Sequence, residues 1–381
     1  MVKSPESRFG SDIEIESYFD LASESETVVS PKHPEHNDDR VLGAVAAERI
    51  SLSTDPGFRQ ADLETIRSWG ERERAAAGRL AELDIHGVMD GISGRDGSGS
   101  GTLASRIASG AIAERLSALP ENADAALTAA ALTAALEGAH RAVIDYRGER
   151  GDLEEMATTA DIVRMVKAPE GGYDLVYAHA GDGRIYVLDG ETGRLERLTE
   201  DESPALEALR MGLISREQHD LAVAAEDPDS LPDFSNPNFP KAPKDLLRIL
   251  SRKRQGVSNS VGQGQGLRVT TGQRRLKGGD TVLISSDGVH DNLNDGQIAE
   301  MLRRKASSKE IAQAALEAKI KQDDISLVRI EVGGEDGMEE FVLDDDDLIE
   351  VSVDPVLERQ RLDAAAADRK ALERARRDLS A

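Results

Sequence analysis

Five short segments of this 381-residue chain place aspartate at the boundary of an expected strand, next to glycine or a second aspartate. A strand end holds a side chain rigidly, and the adjoining turn leaves that side chain open to solvent. Several such carboxylates from different strands would form a hard-oxygen site for magnesium or manganese. Two ions that share one carboxylate would lower the pKa of a water between them and neutralise charge on a phosphoryl group. The five pairs are Asp38-Asp39, Asp90-Gly91, Asp182-Gly183, Asp287-Gly288 and Asp323-Asp324.

A single Asp-Gly pair is weak evidence for such a site, because this pair is common in turns that bind nothing. The signal lies in the order and context of all five pairs. A calcium-binding structural module is the less favoured interpretation, since no aspartate-rich loop has the spacing of an EF-hand.

Composition excludes several other classes of site. The chain has no cysteine, which excludes disulfide scaffolds, thiolate metal sites and cysteine nucleophiles, and fits a cytoplasmic location. We expect no signal peptide and no membrane span, because no apolar stretch reaches about 18 residues. The formal net charge of −25 argues against nucleic acid as a partner.

Three regions are expected along the chain. Residues 1–35 are polar and acidic without periodicity, which predicts a flexible N-terminal arm. Residues 36–332 alternate apolar segments with turn signals and form the expected structured domain. Residues 333–381 begin with an acidic linker that includes Asp344 to Asp347, and the charged, alanine-rich remainder predicts a helix.

Within the domain, apolar periodicity predicts an α+β fold with antiparallel sheets and separate helices. Short glycine-containing turns separate most of the strands, which favours hairpin-like connections. The helices are expected over 61–83, with an interruption at Gly70, and over 103–119, 123–146, 295–304 and 309–320. The strands are expected over 41–47, 84–89, 160–167, 174–180, 184–188, 281–286 and 325–332, and a long surface loop over 225–245.

Seven short motifs, in this order, resemble the metal-dependent Ser/Thr protein phosphatases of type 2C, the PPM family, in their bacterial form. The resemblance covers about residues 36–332. The seven motifs are Asn37-Asp38-Asp39-Arg40, Gly87-Val88-Met89-Asp90-Gly91-Ile92-Ser93-Gly94, Met156-Ala157-Thr158-Thr159, Ala180-Gly181-Asp182-Gly183-Arg184-Ile185-Tyr186, Leu198-Thr199-Glu200-Asp201-Glu202-Ser203, Gly279-Asp280 through Ser286-Asp287-Gly288-Val289, and Asp323-Asp324-Ile325-Ser326.

The resemblance implies a four-layer α-β-β-α sandwich of two antiparallel sheets flanked by helix pairs. It implies a cytoplasmic signalling enzyme that removes phosphate from phosphoserine and phosphothreonine in proteins and opposes a Ser/Thr kinase. A hydroxide that bridges two Mn²⁺ or Mg²⁺ ions attacks phosphorus directly, and some members bind a third ion.

Residue roles follow from the same resemblance. Asp90, Asp287 and Asp323 match the catalytic set, which implies that Asp90 would bridge both ions. The Gly91 carbonyl would bind one of these ions, and Asp287 and Asp323 would hold the other. Asp38 and Asp39 match the outer acids of the family. Asp182 and Asp291 match the acids of its third ion site.

Two positions depart from the family pattern and keep a second interpretation open. Many members have a phosphate-binding arginine where this chain has Pro34, and a histidine where it has Glu202. Residues 48–82 resemble an insertion. Pro34 and Glu202 favour a regulatory protein with the same fold that binds phosphorylated partners with little turnover. The intact set of Asp90, Asp287 and Asp323 favours the enzyme.

Arg248, Arg252, Lys253 and Arg254 form the strongest basic cluster of the sequence. In the family, the corresponding region is often a flap near the active site. At such a flap, the cluster would recruit acidic phosphopeptides or supply the missing phosphate contact. The alternative is a solvated helix face without a function.

Overall fold

The computed structural model of the chain describes residues 21–28, 38–42, 60–92, 100–150, 156–169, 171–225 and 227–333. These residues belong to the first of two units, Met1–Glu335 and Asp336–Ala381. The predicted acidic run and C-terminal helix lie outside the described residues, as do residues 29–37 with Pro34. None of the described helices is long and apolar enough to cross a membrane.

Two five-stranded sheets form the centre of the fold, and all their strand pairs are antiparallel. The first sheet has the order β1-β12-β11-β8-β9 and the second has the order β10-β7-β6-β3-β2, while β4 and β5 form a separate pair. In chain order, the described strands are β1 Leu21–Val28, β2 Arg40–Leu42, β3 Ile85–Met89, β4 Gly91–Ile92, β5 Ala157–Thr158, β6 Ala160–Lys167, β7 Tyr173–Ala180, β8 Arg184–Leu188, β9 Leu195–Arg197, β10 Thr270–Leu276, β11 Thr281–Ser285 and β12 Ile325–Val332.

Helices cover the outer face of each sheet. Helices α1 to α3 pack on the second sheet, and α7 to α9 pack on the first. A smaller apolar cluster joins α4, α5 and α6. The described helices are α1 Gln60–Glu82, α2 Ser100–Leu116, α3 Ala125–Arg150, α4 Pro204–Arg210, α5 Arg216–Ala224, α6 Leu246–Arg252, α7 Asp287–His290, α8 Asp295–Arg303 and α9 Ser308–Ala318.

Successive side chains of each central strand point to opposite faces of the sheet, so apolar residues pack on both of its sides. In β11, Val282 and Ile284 face the other sheet, whereas Leu283 faces the helices. In β6, Val163 faces the other sheet, whereas Ile162 faces the helices. Strands that are buried on both faces need nearly continuous apolar sequence, which is why these segments were predictable. The four-layer α-β-β-α architecture is thereby confirmed.

The N-terminal segment differs from the prediction. Residues 21–28 form β1, which pairs with β12 from Leu21↔Val332 to Val28↔Ile325. The expectation of a flexible arm is therefore wrong for these eight residues. The side chains of residues 25–28 are half-buried. A polar sequence suffices at this edge because the backbone ladder to β12 supplies the pairing.

Smaller differences concern element ends. Helix α1 continues through Gly70 without an interruption. Strand β2 covers Arg40–Leu42, while the remainder of the strand predicted over 41–47 lies outside the described residues. Asp287 is not in a simple turn, because it begins the short helix α7 with Ser286 as its N-cap.

Candidate active site

The antiparallel registers bring the predicted acids together from both sheets. Arg40 of β2 pairs with Met89 of β3, so Asp39 and Asp90 lie at the same end of this strand pair. In the other sheet, Ser285 pairs with Arg184 on one side and with Leu327 on the other. Asp287 therefore follows β11 near the turn that contains Asp182 and near the segment that precedes β12.

Close backbone packing joins these segments at Gly91. A side chain at this position would place its Cβ 2.5 Å from the carbonyl oxygens of both Asp38 and Gly101. Real Cβ atoms do not approach other atoms so closely, so only glycine allows the three segments to meet here. The sequence motif thus reflects a steric requirement beside Asp90.

Hydrogen bonds fix the backbone around Asp90. Its N–H donates to Thr159 Oγ1 at 2.9 Å. Its carbonyl oxygen accepts from Thr158 Oγ1 and from the Thr159 N–H, both at 2.8 Å. The two threonines belong to the predicted motif at 156–159, and the structure shows that they position Asp90.

The outer acid Asp38 links the two sheets. Its Oδ1 accepts a hydrogen bond from Thr102 Oγ1 at 2.5 Å, and its backbone N–H donates to Asp324 Oδ2 at 2.7 Å. Asp324 is buried, so this contact holds the start of β2 against the start of β12. The Asp323-Asp324 pair is visible in the sequence, whereas the roles of Asp324 and Thr102 in holding Asp38 emerge only from the structure.

The electrostatics show which acids share one environment. Loss of hydration and the charges of Asp39, Asp287, Asp323 and Asp182 raise the pKa of Asp90 well above its ordinary value. Burial is also the largest cause of the raised pKa of Asp287. Such mutual repulsion is typical of carboxylates gathered at a functional site.

Asp39 and Asp182 belong to the same environment. Burial and the charges of Asp324 and Asp323 raise the pKa of Asp39, although a hydrogen bond with Ser286 acts in the opposite direction. Burial and the charge of Asp287 raise the pKa of Asp182. The acids predicted from both sheets therefore interact with one another.

A lysine that sequence analysis missed lies among these acids. Lys321 Nζ is 3.0 Å from Asp323 Oδ2 and 3.1 Å from Asp291 Oδ2, and it donates a short hydrogen bond to Asp287 Oδ2. The signal in the sequence is a lysine two residues before Asp323. Its partners Asp287 and Asp291 come from a distant segment, so the spacing alone does not reveal the contact.

The donor set determines which cation these residues could hold. Asp287 Oδ1 is buried and has no hydrogen-bond partner in the described structure. Together with Asp39 and Asp90, it offers hard oxygen donors of the kind that Mg²⁺ and Mn²⁺ prefer. Among the described residues, however, no group of three or more His, Asp or Glu side chains has metal-binding spacing. Asp287, Asp291 and Asp323 converge instead on the Lys321 ammonium.

Glu202, which stands where the family motif has histidine, is a buried ion-pair residue. Its Oε1 accepts from Arg210 Nη2 at 2.9 Å and its Oε2 accepts from Arg268 Nη2 at 3.1 Å. Burial opposes ionisation, but the hydrogen bonds and charges of both arginines lower the pKa of Glu202. Its backbone N–H donates to the carbonyl of Gly181 at 2.8 Å, so Glu202 supports the turn that carries Asp182.

The basic cluster is largely engaged within its own region. Arg248 Nη1 donates to Asp233 Oδ1 at 2.7 Å, and Arg252 pairs with Asp229. Arg254 donates to the Ala225 carbonyl at 2.5 Å. These contacts weaken the hypothesis that the cluster recruits phosphopeptides.

The adjacent residue Gln255 does reach the site. Its Nε2 donates to Asp291 Oδ2 at 3.2 Å, which joins the segment after α6 to the acids.

Comparison with known proteins supports the sequence resemblance. The family model for protein phosphatase 2C matches residues 74–322. The chain is 29% identical over 177 residues to "Serine/threonine phosphatase stp" of Listeria welshimeri, a match that covers 46% of this chain and 56% of that protein. The Listeria innocua protein of the same name gives the same identity and coverage. The chain thus spans about half the length of the curated relatives it matches.

Solved structures show the same fold at low identity. The Mycobacterium tuberculosis serine/threonine phosphatase PstP/Ppp matches with a TM-score of 0.55 and 19% identity, covering 82% of this chain and 99% of that chain. Stp1 from Staphylococcus aureus matches with a TM-score of 0.55 and 15% identity, covering 86% and 100%. A catalytic domain of PstP in complex with two manganese ions has a TM-score of 0.51 and 19% identity, covering 82% and 98%. The family model covers more than half of the chain, and the chain therefore belongs to the protein phosphatase 2C family.

Proposed function

We propose that the chain is a Mn²⁺- or Mg²⁺-dependent phosphatase that hydrolyses phosphoserine and phosphothreonine in proteins. The observation that carries this proposal is the convergence of Asp39, Asp90, Asp182 and Asp287 from the strand boundaries of both sheets. Burial first, and then the charges of neighbouring acids, raises the pKa of each of these four carboxyl groups. Membership of the phosphatase family supports the choice of reaction.

The proposed ligands are the residues that the family pattern assigns. Asp90, Asp287, Asp323 and the Gly91 carbonyl would hold the ions, and Asp38 and Asp39 would act from the outer shell. Asp182 and Asp291 would contribute to a further position. The manganese complex of a PstP catalytic domain supports the choice of metal. The resemblance implies two or three ions, and Lys321 bears directly on that number.

The residues of the chain supply position and charge. Thr158 and Thr159 fix Asp90, and Thr102 orients Asp38, so the carboxylates are prearranged for the cations. When bound, the cations supply a water of lowered pKa and positive charge opposite the phosphoryl oxygens. No cysteine is available for a covalent phosphocysteine route.

The proposed substrate is a phosphorylated protein, which implies a Ser/Thr kinase with the opposite activity. Both the kinase and a cytoplasmic location remain predictions. The location rests on the cysteine-free sequence, which fits a reducing compartment.

Hydrolysis of p-nitrophenyl phosphate in Mn²⁺, Mg²⁺ or chelator tests the proposed machinery. We expect metal-dependent turnover that falls on the order of 100-fold or more in Asp90→Asn, because the central carboxylate is lost. Asp189→Asn is the matched control, since Asp189-Gly190 is the same dipeptide in an exposed turn away from the site. Equal rates in Asp90→Asn and Asp189→Asn would contradict the proposal.

A specific observation favours a second function, binding of phosphorylated partners with little turnover. Lys321 already neutralises part of the charge of three proposed ligands. A folded wild-type protein that binds a phosphothreonine peptide but releases no phosphate under any metal would support this alternative.

A further inference from the structure

The Lys321 ammonium has the surroundings of a bound cation. A lysine ammonium has three N–H donors, and three carboxylates face this one. They belong to Asp287, Asp291 and Asp323. The Lys321 side chain is only 21% exposed, so the contact is far from a surface ion pair.

The backbone of Lys321 is fixed from behind by one buried side chain. Asn292 Oδ1 accepts from the Lys321 N–H at 2.9 Å, and Asn292 Nδ2 donates to the Lys321 carbonyl at 3.0 Å. The same Nδ2 donates to the Gly288 carbonyl at 2.8 Å. Asn292 thus ties the segment of Lys321 directly to the helix that begins with Asp287.

The end of α9 directs the chain into this arrangement. Helix α9 ends at Ala318, and its C-cap Lys319 has left-handed backbone angles with φ of 56°. This conformation ends the helix and turns the chain toward Asn292. Lys321 is therefore held in place by local backbone structure, as well as by attraction to the acids.

A divalent cation at this position would compete with the ammonium for the same three carboxylates. Asp287 and Asp323 are the two ligands that the family pattern assigns to one ion. The ammonium is tethered to the chain, so its effective concentration at the acids is high. A free ion must overcome that local advantage.

We propose that the Lys321 ammonium occupies the cation position formed by Asp287, Asp291 and Asp323. The chain then binds one divalent cation tightly, on the side of Asp39 and Asp90, and takes up another ion only by displacing Lys321. This inference rests on the proposed metal dependence, and it names the residue that sets the number of ions.

Calorimetric titration of the metal-free full chain with Mn²⁺ tests the proposal without using turnover. We expect one tight ion in the wild type. In Lys321→Met, which removes the charge and keeps the length of the side chain, we expect a second ion to bind at least tenfold more tightly than in the wild type. Lys309→Met is the matched control because Lys309 is exposed on α9, and it should titrate like the wild type. A difference of less than tenfold between wild type and Lys321→Met would overturn the proposal.

Amine labelling of the wild-type chain gives a second test that does not depend on the folding of a variant. Peptide mass analysis would compare Lys321 with Lys309. In chelator, we expect Lys321 to react at least tenfold more slowly than Lys309, and to react faster only at Mn²⁺ concentrations that fill a second position. Similar rates for the two lysines in chelator would overturn the proposal. Both measurements report on ions and amines, so absence of phosphatase activity would count against the proposed function and leave this inference standing.

Discussion

At the scale of single residues, neighbours determine what each carboxylate can do. Burial and the like charges of neighbouring acids raise the pKa of both Asp90 and Asp39. Asp201 lies against arginine and has the opposite shift. The same side chain type is therefore a candidate ligand in one place and a structural anion in another, and the difference comes from the surroundings.

Thr102 provides a residue-scale prediction about the outer acids. Thr102→Val removes the hydroxyl that donates to Asp38 Oδ1 and keeps the shape of the side chain. Because such supporting contacts orient ligands, we expect activity to fall roughly 10-fold to 100-fold. Rates on p-nitrophenyl phosphate would be compared with Thr133→Val, which removes a hydroxyl that bonds only within α3. Equal activity in both variants would show that Thr102 does not position Asp38.

The Arg184–Asp201 pair predicts a pH effect on stability. Arg184 Nε and Nη2 donate to Asp201 at 2.9 and 2.7 Å. Burial raises the pKa of Asp201, but the hydrogen bonds and charge of Arg184 outweigh this and lower it to about 2. An aspartate with a depressed pKa stabilises the fold above its unfolded pKa of about 3.9, and this contribution is lost as pH falls toward 2.

Urea unfolding of Asp201→Asn at several pH values checks this expectation. We expect the free energy of unfolding to fall by about 2 kcal/mol at pH 7 relative to wild type, and the difference to shrink to about half by pH 3. Asp145→Asn, on the exposed face of α3, serves as the control. A difference that stays constant from pH 7 to pH 3 would argue against the pair as the cause.

At the scale of elements, the sequence predicts the strands that are buried on both faces and misses the polar strand at the sheet edge. The predicted strands over 160–167, 184–188 and 325–332 coincide with β6, β8 and β12 because apolar residues continue on both faces. Strand β1 was missed because its sequence is polar and its partner, β12, lies about 300 residues further along the chain.

The aspartates of the site were predictable from the sequence, whereas the contacts of Lys321 were not. Each aspartate follows from a local motif at a strand boundary. The position of Lys321 follows from no local pattern, because Asn292 and the acids that hold it belong to another segment. Contacts between distant segments can be predicted only when the register of the strands is known.

The packing of α1 on α2 gives an element-scale prediction. A Cβ at Gly110 of α2 would lie 2.7 Å from the Trp69 carbonyl oxygen, so Gly110→Ala must separate the helices. We expect a loss of about 1–3 kcal/mol in the free energy of unfolding. Gly78→Ala on α1 is the matched substitution, since its Cβ meets nothing within 4 Å. It should stabilise the chain by up to about 1 kcal/mol, and opposite signs in denaturant unfolding would confirm the close approach.

At the scale of the whole molecule, the sandwich explains why the acids meet. Asp39 and Asp90 come from one sheet, and Asp182 and Asp287 come from the other, so the site needs both sheets in their observed packing. The contact from the Asp38 N–H to Asp324 Oδ2 joins the two sheets at this edge. The family match over residues 74–322 spans the segments of Asp90, Asp182 and Asp287. Asp323 directly follows the matched residues, whereas Asp38 and Asp39 lie well before them.

The most direct test of the account is phosphate release from a phosphothreonine peptide, measured together with peptide binding on the same wild-type sample. We expect the peptide to be hydrolysed with Mn²⁺ or Mg²⁺, chelator to stop the release, and Asp90→Asn to abolish it. A wild-type chain that binds the peptide and releases no phosphate under any of these conditions would show that the proposed phosphatase function is wrong.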